Sequence, residues 1–219
     1  MTNIEIVTNR QCLDRVYQEL IEPDFPPEEL ISAPDFARLC ANGTMSALVA
    51  EEGPALQGVA VLEYHAGNID LLAYLAVGSA YRSEGIGTKL MTAVCAQAAG
   101  RGRRFVLAEI ETPGTHHETP IFGDADRRAA FYRRFGAKAI DVRHWQPAVS
   151  PTSKPVNLKL IAIPTTSEAL TSIASNQLRD FEIEYHGDPD SEVLASTLSD
   201  LSGRDDVPLF DLADQYQLR

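Results

Sequence analysis

Residues 75–91 read LAVGSAYRSEGIGTKLM, and the fold turns on this stretch. An apolar run ends at Val77, a short loop carries Gly85 and Gly87, and Ile86, Leu90, Met91, Val94 and Ala98 then recur at helical spacing until Gly100 closes the helix. A buried strand feeding a glycine loop and then a helix points several backbone N–H groups and a positive helix end at one spot. That suits a phosphate-bearing ligand. Two familiar phosphate loops fail on residues. A P-loop needs glycine followed at once by lysine, whereas Gly87 is followed by Thr88 and then Lys89. A dinucleotide fingerprint needs a third glycine where this chain has Leu90, and no βαβ unit precedes it.

Upstream of the loop, residues 45–52, 58–65 and 69–77 are strand-like runs separated by GPALQ and AGN, turn chemistry for an antiparallel meander. Residues 1–8 hold a first strand, IEIV, and residues 9–21 a helix. Pro23, Pro26 and Pro27 interrupt, and residues 28–40 resume helical character. Downstream, residues 104–111 (RFVLAEIE) form a strand whose alternation puts Phe105, Leu107, Glu109 and Glu111 on one face. A loop with His116 and His117 leads to the helix DRRAAFYRRF, capped by Asp124 or Asp126, on which Arg128 and Tyr132 project together. Strands over residues 138–149 and 155–163 complete the sheet. Beyond Pro164 a capping box at residues 165–168 opens a helix toward Tyr185, a second helix covers residues 191–201, and the end of the chain is left loose.

Composition narrows the classes. With 219 residues and 44% apolar content the chain can bury one substantial core. A net charge of −12 argues against nucleic acid as partner. No run approaches the ~20 apolar residues of a membrane span, and the N-terminus has no leader pattern, so a cytoplasmic protein without membrane contact is expected. Cys12, Cys40 and Cys95 fit neither a disulfide framework nor a metal site, and no metal is expected. Residues 165–219 carry twelve acidic and three basic residues, so the acidity is concentrated there. The division expected is residues 1–164 as the main domain and residues 165–219 as an acidic helical extension, whose apolar stripe is expected to dock on the main domain or on another subunit, leaving a homodimer open.

The sequence R-x-x-G-x-G at residues 82–87, after a strand ending LAV, together with AAFYRRFGA at residues 129–137, resembles the GNAT superfamily of acyl-CoA-dependent N-acyltransferases. The resemblance covers roughly residues 4–163. It implies an α/β fold of the α+β kind, a mixed and mostly antiparallel sheet flanked by helices, here with a C-terminal helical appendage. It further implies acetyl-CoA as acyl donor, its pyrophosphate held at Arg82, Ser83, Gly85, Ile86, Gly87 and Thr88 and its pantetheine arm paired with the backbone of Leu75 and Val77. Departures from the family pattern are Ser79 for a common proline, Ala125 for a common asparagine, and Arg128 for a small residue, which makes Arg128 a candidate phosphate contact or a surface ion pair.

Acyl transfer to an amine needs a base for the ammonium proton and an acid for the departing thiolate. By resemblance and by its phenol chemistry Tyr132 is the acid. Glu109, deeper in its strand than Glu111 and so partly desolvated, is the preferred base, ahead of Glu111, His116 and His117, with Glu63 and His65 behind. Candidate walls of the amine pocket are Phe25, Phe36, Tyr64, Tyr74, His116 and Trp145. The expected function is N-acetylation of a small amine, cationic in view of the acidic surface. The alternatives are an inactive acyl-CoA-binding sensor or scaffold and a protein N-acetyltransferase.

Overall fold

The computed structural model describes residues 2–112, 125–149 and 153–212. The meander is present as β1 (Asn3–Val7), β2 (Met45–Glu52), β3 (Ala55–His65) and β4 (Ile69–Val77), each antiparallel to the one before it in the sheet. Between β1 and β2 lie α1 (Arg10–Val16), continued by a turn of π-helix over Tyr17–Ile21, and α2 (Ala33–Ala41). The helix expected from residue 28 is only a 3-10 turn, Pro27–Glu29, followed by a restart. Pro34 has no amide to donate to a helix running through, so Ser32 becomes the cap and accepts from the amide of Asp35 at 3.2 Å.

From β4 the chain crosses through α3 (Ile86–Gly100) into β5 (Phe105–Ile110), which runs parallel to β4 as a helical crossover requires. Gly58 lets α3 lie close on β3. A Cβ there would stand 2.9 Å from the Ala76 carbonyl oxygen and 3.0 Å from Leu90 Cδ1. After α4 (Ala125–Arg133) come β6 (Lys138–Ile140), β7 (His144–Gln146) and β8 (Val156–Pro164). The single strand expected over residues 138–149 is thus two, which pair with different parts of β8.

Beyond Pro164 the structure holds β9 (Ser172–Ala174), α5 (Ser175–His186), α6 (Glu192–Leu201) and β10 (Asp206–Asp211). The capping box at residues 165–168 opens no helix, because Thr165 is drawn across to the segment before β5, its hydroxyl donating to the Arg103 carbonyl at 2.5 Å and its amide to that of Arg104 at 3.0 Å. After α6 the chain forms β10 as far as Asp211, joined to both β6 and β9, and the last residues, 213–219, expected to be loose, lie outside the described residues. Along the sheet the strands run β1-β2-β3-β4-β5-β8-β6-β10-β9, with β7 beside β8.

One face of this sheet is covered by α3 and α4, with Leu90, Met91, Val94, Ala129 and Tyr132 in the core. The other face has two covers. Leu13, Val16, Leu20, Ile21 and Phe36 of the N-terminal helices pack on β2 to β4. Leu178, Phe181, Leu201 and Val207 of the C-terminal segment pack on Ile69, Leu71, Phe105, Leu107 and Leu160. The apolar stripes, expected to dock on the main domain or on another subunit, are turned in large part onto the chain's own sheet. Where the two covers meet, the sheet is left bare enough for a cavity.

Candidate active site

The parallel ladder between β4 and β5 consists of two pairs, Leu71↔Leu107 and Leu72↔Ala108. Past them the strands part, and the edge of β4 from Ala73 to Val77 is paired only with β3. Ala73 is itself the extra residue of a bulge, since Val61 faces Tyr74 and Leu62 faces Leu72. The register tells which backbone groups the open edge presents. The Gly78 amide donates to the Gln57 carbonyl at 3.0 Å, so the pairs Gln57/Gly78, Val59/Ala76 and Val61/Tyr74 are hydrogen-bonded and the alternating pairs Gly58/Val77 and Ala60/Leu75 are not. The backbone N–H and C=O of Leu75 and Val77 consequently point into the gap. Arg82 confirms the direction: its Nε donates to the Val77 carbonyl at 3.3 Å, and its guanidinium also holds Asp24 at 2.8 Å.

The loop after β4 is bent by two left-handed residues, Ser83 (φ 70°) and Gly85 (φ 80°), with Gly85 as the cap of α3. The first amide to close on the helix is that of Lys89, to the Gly85 carbonyl, so helix geometry leaves the amides of Ile86, Gly87 and Thr88 directed out of the N-terminus. A Cβ on Gly87 would lie 3.5 Å from the Phe131 ring and 3.7 Å from Val77 Cγ2, so α4 and the end of β4 close on this turn. The concave run of amides and the outward backbone of Leu75 and Val77 together fit a ligand with a phosphate group at one end and an amide-bearing arm at the other.

On α4, Tyr132 is buried in the core beside Phe131, and burial pushes its hydroxyl up to about 12 against the milder opposite pull of Arg128. One turn earlier Arg128 makes the ion pair with Glu111 at the end of β5.

The other face of the gap opens into a cavity of about 310 Å³. Its floor is β3 to β5, its walls the 29–31 segment, α2, α5 and residues 146–149. Tyr74 fastens one wall, donating to the Glu29 carbonyl at 3.0 Å and accepting from the Ile31 amide at 3.2 Å. Four glutamates line it, Glu29, Glu63, Glu109 and Glu184, with no lysine or arginine among the described lining residues.

Glu109 is the best held of these. Its Oε1 lies 2.6 Å from His144 Nε2, and the Tyr185 hydroxyl donates to both of its oxygens at 3.0 Å. His144 is wholly buried, with its Nδ1 2.8 Å from Glu182, which is equally buried. Burial alone would push the imidazole down, but the charges and hydrogen bonds of Glu182 and Glu109 outweigh it and raise the pKa to about 10. Burial likewise pushes Glu182 up, and His144 outweighs it, so this carboxyl sits below its ordinary value. The array is therefore an imidazolium between two carboxylates. Glu29 differs: burial, opposed by Arg128 and reinforced by Glu111 and Glu109, pushes it up to about 7.

The structure thus brings Glu109 together with Glu63, Tyr64, His65 and Tyr74 from the sequence-based set. Tyr132, Arg128 and Glu111 belong to the α4 side of the gap. Phe36 is core, Phe25 packs edge-on against Tyr74 at 5.0 Å, and Trp145 does not line the cavity. His116, His117 and Asp124 lie outside the described residues. The sequence reading did not single out Glu29, His144, Glu182, Glu184 or Tyr185. The pair Tyr185-His186 at the end of a predicted helix was the available signal.

The family profile of the acetyltransferase (GNAT) domain matches residues 44–136, the segment from β2 through α4. Solved structures agree on the fold. A GNAT-family member from Bacteroides thetaiotaomicron superposes with a TM-score of 0.63 at 16% identity, covering 84% of this chain and 98% of that one. The ribosomal-protein-S18-alanine N-acetyltransferase from Escherichia coli gives 0.53 at 15% identity, over 77% and 97%. An aminoglycoside 6'-N-acetyltransferase complexed with coenzyme A gives 0.52 at 17% identity, over 77% and 99%. No curated protein matches the sequence. Residues 44–136 thus match the GNAT acetyltransferase domain, and the mixed, mostly antiparallel sheet flanked by helices is the fold of these solved structures. Among the described residues no helix is long and apolar enough to cross a membrane, and no cluster of His, Cys, Asp and Glu is arranged to hold a metal ion.

Proposed function

We propose that this protein transfers an acetyl group from acetyl-CoA to the primary amine of a small cationic molecule by direct attack. The observation that carries the reading is the gap between β4 and β5: unpaired backbone of Leu75 and Val77 opens on one side of it and an acidic cavity on the other. Acetyl-CoA would supply an activated thioester carbonyl, with its pyrophosphate at Ser83, Gly85, Ile86, Gly87 and Thr88, its arm along Leu75 and Val77, and Arg82 and Arg128 flanking it. The cavity's volume, at the small end of the range for small-molecule pockets of roughly 300–1,000 Å³, favours a compact acceptor over a polypeptide.

In the reaction the amine nitrogen bonds to the acetyl carbon as the carbon–sulfur bond breaks. The amine gives up a proton, and the leaving thiolate takes one. Tyr132 supplies the latter, its hydroxyl being held protonated by burial. The ammonium enters against Glu109, whose carboxylate His144 and Tyr185 hold in place, and Glu109 takes the proton. A second reading gives that proton to Glu29, because a carboxyl near 7 in the same cavity is matched to accepting a proton at neutral pH. The test is Tyr132→Phe assayed by thiol release on an amine panel. Turnover should fall by about 10²–10⁴-fold while coenzyme A still binds. Full activity in this variant removes Tyr132 as the acid, and coenzyme A binding without thiol release by the wild-type chain would point to a sensor.

A further inference from the structure

At the end of the cavity farther from the gap, a buried imidazole stands between two carboxylates, with no lysine or arginine among the described lining residues. His65 has a side chain only 6% exposed. Its Nδ1 stands 3.4 Å from Glu184 Oε2. Its Nε2 is buried without a hydrogen-bond partner and stands 3.6 Å from Glu63 Oε2. Glu184 is itself tethered by the Ala66 amide. Gln146, also on the cavity wall, has a buried amide oxygen without a partner. Buried acceptors left open in this way call for a ligand that brings several N–H donors.

The register gives the spacing. Glu63 faces Leu71, and Leu71 faces Leu107, so Glu63 lies two strands and two residues from Glu109. At ~4.8 Å per strand and ~3.4 Å per residue the two Cα atoms are about 12 Å apart, and cations seated against the two carboxylates would be roughly 6–9 Å apart. Leu71 and Ala73 form the apolar floor between them.

We propose that the acceptor carries two cationic nitrogens: the amine that is acetylated, at Glu109, and a second ammonium or guanidinium seated between Glu63 and His65, joined by an aliphatic spacer of about four to six carbons. The proposal rests on the acetyltransferase reading above. It makes the acidic cavity a selective site for diamines and their relatives, with the near end reading the reacting amine and the far end the charge behind it.

The experiment compares linear α,ω-diamines with monoamines of equal carbon number as acceptors for the full chain and acetyl-CoA. Diamines with four to six carbons should exceed the matched monoamines in kcat/KM by roughly 10- to 100-fold, the range of a charge-assisted hydrogen bond or two, and shorter diamines should lose the advantage. Glu63→Gln and His65→Phe should each collapse the diamine-to-monoamine ratio toward one, mainly through KM. Equal use of monoamines and diamines by the wild-type chain overturns the inference and leaves the acetyltransferase reading standing. If no amine is acetylated, calorimetric titration with 1,5-diaminopentane decides: binding supports the second cation site although the reaction reading fails, and no binding overturns it.

Discussion

Replacing Glu182 by glutamine removes one of the two carboxylates that hold the His144 imidazolium, at a position where both side chains are fully buried and 2.8 Å apart. Breaking a buried pair by taking away one partner typically costs about 3–5 kcal/mol, because the remaining charge keeps its desolvation penalty. In a chain of this size each kcal/mol moves the melting temperature by about 2–4 °C, so a fall of roughly 6–20 °C is expected. The pH dependence is more diagnostic than the size. The pKa of His144 is raised in the fold, from 6.5 to about 10, so its stabilising contribution is complete below pH 6.5 and is lost as pH rises through about 10. Glu182 is depressed below 4.5, so its contribution is complete above that value and is lost as pH falls through the folded one.

The gap between wild type and Glu182→Gln should therefore be widest near pH 5–6.5 and should close toward pH 10. Denaturant titrations at a series of pH values read this directly. Imidazole titration by NMR should show His144 in the variant well below its wild-type value, since the Glu182 charge is the largest influence raising it. An equally stable variant, or a deficit that does not change with pH, would refute the picture of an imidazolium clamped between Glu109 and Glu182.

Glu29→Gln tests which carboxyl takes the amine proton. If Glu29 is the base, kcat falls by about 10²–10⁴-fold and the rise of the pH–rate profile through about 7 disappears, whereas an unchanged profile leaves the proton with Glu109. Gly85→Ala keeps a φ of 80° that an L side chain resists, at a cost of about 1–2 kcal/mol, with open space around the added methyl; destabilisation by denaturant titration is expected without any clash to relieve. Deleting residues 165–219 strips Leu178, Phe181, Leu201 and Val207 from the sheet. At about 1.5–3 kcal/mol for each buried side chain the loss is comparable with the 5–15 kcal/mol stability of a whole domain, so loss of the sharp unfolding transition is expected, and a soluble, cooperative truncated chain would contradict it.

What was legible in the sequence was local or periodic. The meander over residues 45–77, the loop at residues 82–87 and the stripe of α3 follow from spacing, and the alternation in RFVLAEIE put Glu109 on the face where the cavity lies. What was not legible depends on long-range pairing. Glu109 meets His144, 35 residues on, and Tyr185, 76 residues on, while Glu182 meets His144 across 38. Nothing within a window of the sequence relates these positions. The strand DVPLFD has a proline and few residues to signal itself, and it forms because β6 and β9 present edges to it. The helix expected from Thr165 fails for a similar reason: the backbone before β5 competes for that threonine and wins.

The family match ends at residue 136 and begins at residue 44, and this boundary separates the two halves of the chemistry. The proposed donor side, Leu75, Val77, the 82–88 loop and Tyr132, lies entirely within it. Much of the acceptor side lies outside: Glu29 before it, and His144, Gln146, Glu182, Glu184 and Tyr185 after it. Glu63, Tyr64, His65, Tyr74 and Glu109 line the cavity from within it. The family match therefore speaks to the proposed donor side, while much of the proposed acceptor cavity is built by segments outside it, brought to the sheet by α5 and by the 29–31 turn. The acidic C-terminal segment, which from composition alone reads as a solvated surface, carries Glu182, Glu184 and Tyr185 to the cavity or to the side chain that orients Glu109. Substituting these three positions together should alter which amine is used while sparing coenzyme A binding, and the reverse pattern would place the choice of substrate on the donor side of the gap.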